Sequence, residues 1–104
     1  MSGKEIDNEI QRKGLIAPRV TLDQLKANIV HIDIVKHVSI TGQVLRWAVL
    51  TTKNGFAVTG NPSCSVSSSN DNAELGEKIA IANAENELWP LMGYALKERL
   101  HDSI

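Results

Sequence analysis

The sequence predicts an α+β fold, a small antiparallel sheet packed by helices, and three features carry that prediction. Asn54-Gly55 lies between two apolar runs, Gln43 to Lys53 and Phe56 to Gly60, and such a dipeptide is the strongest short hairpin signal. Thr21-Leu22-Asp23-Gln24 has the spacing of a capping box opening a helix. Ala73, Gly76, Ala80 and Ala84 recur at helical spacing as a lane of small residues, against which another element can pack closely.

From the N-terminus, Lys4 to Lys13 carries Ile6 and Ile10 four residues apart and ends before Gly14. That pattern predicts a short helix with little to bury, so residues 1–16 are expected to be marginally ordered. Residues 17–104 are expected to form one α+β domain. Its first helix, at about 22–30, follows the capping box, with Leu22, Leu25 and Ile29 as its apolar stripe. His31 to Val38 is rich in β-branched residues and reads as a strand, and Thr41-Gly42 breaks it.

The hairpin at about 43–60 is the centre of the predicted sheet. A two-residue type I′ loop would pair Lys53 with Phe56, Thr51 with Val58 and Val49 with Gly60. In that register Leu45, Trp47, Val49, Phe56 and Val58 share one face, expected to be the core. The opposite face, with Arg46, Ala48, Leu50 and Thr52, is apolar in its middle and is expected to be covered by a helix or a second subunit. Asn61 to Asn72 is polar and long for a loop.

Asp71 with Glu74 reads as a second capping box. It opens a helix at about 72–88, along which Leu75, Ile79, Ala82 and Asn86 trace one stripe beside the small-residue lane. Trp89-Pro90 is expected to end that helix, because proline lacks an N–H and disfavours helical geometry in the residue before it. Pro90 then starts another helix at about 90–101.

Composition bounds the function. A chain of 104 residues has room for one core of thin stability margin, and self-association is a common remedy. Eleven Lys and Arg against twelve Asp and Glu leave no basic excess, which argues against nucleic acid as the main partner. A single cysteine, Cys64, excludes an internal disulfide and fits a reducing compartment. No apolar run reaches bilayer length, so no membrane partner is expected.

No phosphate-loop, dinucleotide or metal-ligand pattern is present, so neither a catalytic activity nor a cofactor is expected. His31 and His37 are too far apart to chelate one ion by themselves. His101-Asp102-Ser103 has the residue types of a triad but lies in a polar tail. Cys64 has no histidine near it in sequence to lower its pKa. The four aromatic residues are more informative. Packing accounts for Trp47 and Phe56, while Trp89 and Tyr94 flank the expected helix break, where a ring can face a groove. With Arg46 and Arg99 they would make a stacking surface with cationic neighbours, and Ser63 begins the serine-rich loop whose N–H groups suit phosphates. Arg46, Ser63, Trp89, Tyr94 and Arg99 are therefore the candidate ligand-binding residues.

Lys53-Asn54-Gly55-Phe56-Ala57-Val58-Thr59-Gly60, Leu75-Gly76-Glu77-Lys78-Ile79-Ala80 and Trp89-Pro90-Leu91-Met92-Gly93-Tyr94 occur in order, after Ala17-Pro18-Arg19-Val20-Thr21. As a set they resemble a family of small tailed-bacteriophage proteins, typed on gene product forty-nine of one coliphage and gene sixty-six of another. The resemblance covers about Ala17 to Leu100. It implies expression in the cytoplasm of an infected bacterium and no established reaction. Two expectations follow. The first is a homo-oligomeric counter-defence protein that sequesters a small host nucleotide signal without cleaving it. The second is an inhibitor or adaptor that docks on a host protein, and a nucleic-acid-associated regulator is the weaker alternative.

Overall fold

The computed structural model describes residues 3–14 and 17–104. Its element order is α1 (Gly3–Arg12), α2 (Leu22–Asn28), β1 (Ile29–Val38), β2 (Val44–Thr52), β3 (Ala57–Thr59), β4 (Ser63–Cys64) and α3 (Ala73–Asp102), with a 3-10 turn at Ser68–Asn70. The α+β class predicted by the sequence is the class observed. Strand β2 is central: β1 runs antiparallel along one of its edges, and β3 followed by β4 runs along the other.

The capping box of α2 forms as its spacing predicts. The Gln24 N–H donates to Thr21 Oγ1 at 3.1 Å, and the Thr21 N–H donates back to Gln24 Oε1 at 3.0 Å. Each bond satisfies a donor that the first helical turn leaves orphaned. Leu25 is thereby aimed into the core, where it is fully buried.

The hairpin exists, but its loop is not the two-residue type. The Gly55 N–H donates to the Thr52 carbonyl at 2.9 Å, and the Thr52 N–H donates to the Phe56 carbonyl at 2.9 Å. Only Gly55 takes positive φ, at 88°, so this is a type I turn closed by a glycine bulge. Asn54 sets it: its Oδ1 accepts from the Phe56 N–H and from Thr52 Oγ1, at 3.0 and 2.7 Å. The β1–β2 loop repeats the design, with Gly42 at φ 92° and the Ser39 N–H bonded to the Gln43 carbonyl.

The extra loop residue shifts the pairing by one, so that Leu50 faces Val58 and Thr51 faces Ala57. A one-residue shift exchanges the faces of a strand. The core face therefore corrects the sequence expectation: Val44, Arg46, Ala48, Leu50 and Thr52 are buried, and Leu45, Trp47 and Val49 lie on the opposite side. Leu25, Leu50, Val58, Ala80, Ala84 and Leu88 form the heart of the core with Ala48.

Two further expectations are corrected in the helical part. Residues 73–102 form one continuous helix with Pro90 inside it. The proline leaves the Asn86 carbonyl without its helical donor. Leu88, fully buried, and Trp89 and Met92, packed against the core, hold both sides of Pro90 to the sheet. The N-cap of α3 is Asn72, whose Oδ1 accepts from the Leu75 N–H at 2.9 Å, and not Asp71. The small-residue lane does meet the sheet, whereas Leu75 and Ile79 of the neighbouring stripe are exposed. A Cβ built on Gly60 would sit 2.4 Å from the backbone carbonyl of Asn83. Glycine is needed there for close approach to the helix backbone.

Candidate functional site

Two clefts meet where α2, the Thr52–Phe56 turn and the second half of α3 come together. One has a volume of about 590 Å³ and is bordered by Arg19, Lys53 and Arg99, with Gln24 among its polar groups and Leu96 on its floor. No carboxylate lines it. The other is apolar and is bordered by Phe56, Leu88 and Leu91. They share Asn28, Asn54, Met92 and Ala95, so cations flank one arm and an aromatic ring flanks the other, with two amides at the junction. The larger arm alone is in the size range of small-ligand sites.

The sequence explains this placement. Lys53 and Asn54 are the exposed residues of the turn that Asn54 itself closes. Phe56 follows the bulge glycine and lies across from Thr52, on the helix side of the sheet, yet keeps 57% of its surface exposed. Lys53 and Arg99 have no ion-pair partner among the described residues, while Arg19 is paired with Asp7 of α1.

Of the candidate residues read from the sequence, Arg99 alone lines these clefts. Arg46 lies elsewhere, buried on β2, with its two guanidinium nitrogens donating to the two Asp71 carboxylate oxygens at 2.6 and 2.9 Å. That hydrogen bonding raises Arg46 above its ordinary value and holds Asp71 below the usual carboxylate value. Desolvation opposes both shifts, and the charge of Lys36 adds to the effect on Asp71. Ser63 is buried beside Arg46 and Gly76, where the space is only about 120 Å³. Gly76 and Trp89 are thirteen residues apart on α3, a separation of about 20 Å.

The structure therefore does not bring Arg46 and Ser63 together with Trp89, Tyr94 and Arg99. Trp89 is half-buried and faces a different cleft, of about 400 Å³, with Ile6, Ile10 and Val20. Tyr94 is 69% exposed, and five helical residues turn it about 140° away from Trp89. The residues that sequence reasoning missed are Lys53, Phe56, Asn28 and Asn54. For Lys53, Asn54 and Phe56 the available signal was the Lys53-Asn54-Gly55-Phe56 segment, which the hairpin turn alone explains; Asn28 carries no such local signal.

The second face of the sheet is open. Val35, Leu45, Trp47 and Val49 share it, and α3 lies on the other side. His31 and Asp33 lie there too, with His31 Nε2 2.9 Å from the Asp33 carboxylate. Cys64 is exposed. Among the described residues no cluster of His, Cys, Asp or Glu is placed to hold a metal ion, and no helix is long and apolar enough to cross a membrane.

Comparison with curated proteins and with solved structures finds no match to this chain. A family model does match, over residues 20–100, a span that contains the sheet, nearly all of α3 and the lining of the paired clefts except Pro18 and Arg19. The chain belongs to the Phage protein (N4 Gp49/phage Sf6 gene 66) family.

Proposed function

We propose that this phage protein is a non-catalytic accessory protein that acts in the host cytoplasm by sequestering a small nucleotide signal of host immunity. The observation that supports this reading is the junction of a cationic and an apolar cleft at Asn28 and Asn54. Lys53 and Arg99 suit phosphate oxygens, with charge-assisted bonds stronger than neutral ones. Phe56 suits the flat face of a base, and the Asn28 and Asn54 amides offer both donors and acceptors to its edge. The site has shifted from the residues that the sequence suggested, while the ligand class remains the same.

Isothermal calorimetry with a panel of cyclic dinucleotides and ADP-ribose-type nucleotides tests it. One member is expected to bind, and Lys53→Ala or Arg99→Ala is expected to weaken it about tenfold or more. The ligand should be recovered chemically intact. No heat from any member with folded protein overturns the reading.

A second reading, docking on a host protein, rests on the open sheet face around Trp47. Interface cores favour a tryptophan ringed by aliphatic side chains. A stoichiometric host protein retained by the wild type and released by Trp47→Glu would favour this reading over the first.

A further inference from the structure

The chain exposes far more surface than its mass requires. A monomer of 11.4 kDa is expected to expose about 5,800 Å², and this one exposes 7344 Å². The excess, about 1,500 Å², is larger than the roughly 800 Å² that a standard interface removes from each partner. Its radius of gyration is 16.5 Å, against about 13 Å for a compact domain of this length. The molecule is a thin two-layer slab with principal extents of 56 × 31 × 17 Å.

Strand β1 contributes to this surface. It is ten residues long, and only Ile29 and Ile34 are even half-buried. Val30, Ile32, Val35 and Val38 are 43–59% exposed, on both sides of the strand. The Ser39–Gln43 bond and the β1–β2 register assign the inward backbone groups to His31, Asp33, Val35 and His37. Those of Ile32, Ile34, Lys36 and Val38 therefore point away from β2, along an open edge. A long β-branched edge without proline, whose one irregularity lies at its start between Ile29 and His31, is a template for another strand.

We propose that β1 pairs antiparallel with β1 of a second copy of this chain, joining two four-stranded sheets into one of eight strands. The proposal is independent of the nucleotide reading, whose clefts lie at the end of the sheet around Asn28 and the Thr52–Phe56 turn, outside the regular part of β1. A second copy is the occupant because the other sheet edge cannot serve. It consists of three residues of β3 and two of β4, interrupted by Gly60-Asn61-Pro62. Pairing β1 to that edge would also be head-to-tail and would not close, whereas β1 on β1 is twofold and complete.

Side-chain pairing selects the register. The regular part of β1 runs from His31 to Val38, beyond the irregularity between Ile29 and His31, so the twofold axis falls at Ile34 or Val35. An axis at Val35 places Asp33 opposite His37 of the partner subunit twice, and brings the two Val35 side chains together. An axis at Ile34 makes neither Asp33–His37 pair, and axes at Asp33 or Lys36 oppose like charges. The Val35 register forms about eight interchain backbone hydrogen bonds. It leaves both α3 helices on one side of the joined sheet and both Trp47 faces on the other.

Sedimentation equilibrium across a concentration series should give twice the chain mass for the wild type. Ile34→Pro removes a donor that β2 does not use, so it should yield a monomer with an unchanged far-UV spectrum. Val35→Cys in a Cys64→Ser background should oxidise rapidly to a disulfide-linked dimer, because non-hydrogen-bonded cross-strand pairs bring Cα atoms within disulfide range. Ile40→Cys in the same background should not. A monomeric wild type overturns the proposal. So does a dimer that persists in folded Ile34→Pro, or cross-linking at Val35 no faster than at Ile40. Loss of the dimer in Trp47→Glu with retention in Ile34→Pro would place the interface on the sheet face and equally overturn it.

Discussion

Arg46 on β2 and Asp71, one residue ahead of the α3 N-cap, form a two-pronged ion pair that fastens the helix start to the sheet. Arg46 is 4% exposed, so its buried guanidinium relies on this partner to compensate its charge. Replacing only one member leaves a buried charge or acceptor uncompensated, which costs more than the pair contributes. Asp71→Asn is therefore expected to lower the thermal midpoint clearly more than Glu74→Ala, which breaks only the exposed Glu74–Lys78 pair. Differential scanning calorimetry of the two variants checks the order.

The same pair makes an acid prediction. Asp71 is held below its ordinary value of 3.8, first by the Arg46 hydrogen bonds and then by the Arg46 and Lys36 charges. Its contribution is fully present above that unfolded value. It is lost as pH falls through the lower folded value. Urea midpoints measured from neutral pH downward should therefore fall below about pH 4, and the part of the fall due to this pair should be absent in Asp71→Asn.

Gly60 is where the sheet touches the backbone of α3. With Asn83 and Ala84 backbone atoms 2.4–2.7 Å from a built Cβ, Gly60→Ala must displace the helix. Chemical denaturation should show a loss of about 1–3 kcal/mol or more, and the same substitution at Gly93, where nothing lies within 4 Å, should not be destabilising.

The identity of the core face can be read from a pair of truncations. Leu50→Ala empties a fully buried position and should cost about 2–5 kcal/mol. Val49→Ala, next in sequence but on the open face, should cost about 1 kcal/mol or less. Denaturation at low protein concentration keeps any contribution of self-association out of the comparison.

Pro90 sits within α3 on its exposed side. Pro90→Ala restores an N–H toward the Asn86 carbonyl and should stabilise the protein by about 1–3 kcal/mol. A loss of stability would mean that the proline sets a bend on which packing of Leu88 and Met92 depends.

What the sequence made legible was local. The Thr21–Gln24 capping box, the strand from His31 to Val38 and the Gly76–Ala80–Ala84 lane involve neighbours in the chain, and each forms. The register of the hairpin was misread because Asn-Gly permits two loops, and the choice between them rests on the Asn54 side chain bonding Thr52 and Phe56. Arg46 looked like a free cation because its partner is 25 residues away. Pro90 looked like a helix end because local cost was weighed without the packing that offsets it. The clefts were invisible for the same reason: Arg19, Lys53 and Arg99 are brought together only by the fold.

Both hairpin loops have three residues, and that shared length has an arithmetic consequence. From His31 onward, beyond the irregular start of β1, partners across β1, β2 and β3 have numbers of the same parity, as in Ile34 with Ala48 and Leu50 with Val58. Even-numbered positions look toward the helix in all three strands, and odd-numbered positions look outward. The rule changes again beyond Gly60, where Arg46 pairs with Ser63 and an odd-numbered serine is buried beside it. Surface loops ordinarily tolerate a residue gained or lost. Here a single deletion among Lys53, Asn54 and Gly55 would turn Val58 outward, and one among Ile40, Thr41 and Gly42 would turn β1 over. Loop length in this chain is thus under the same constraint as the core itself.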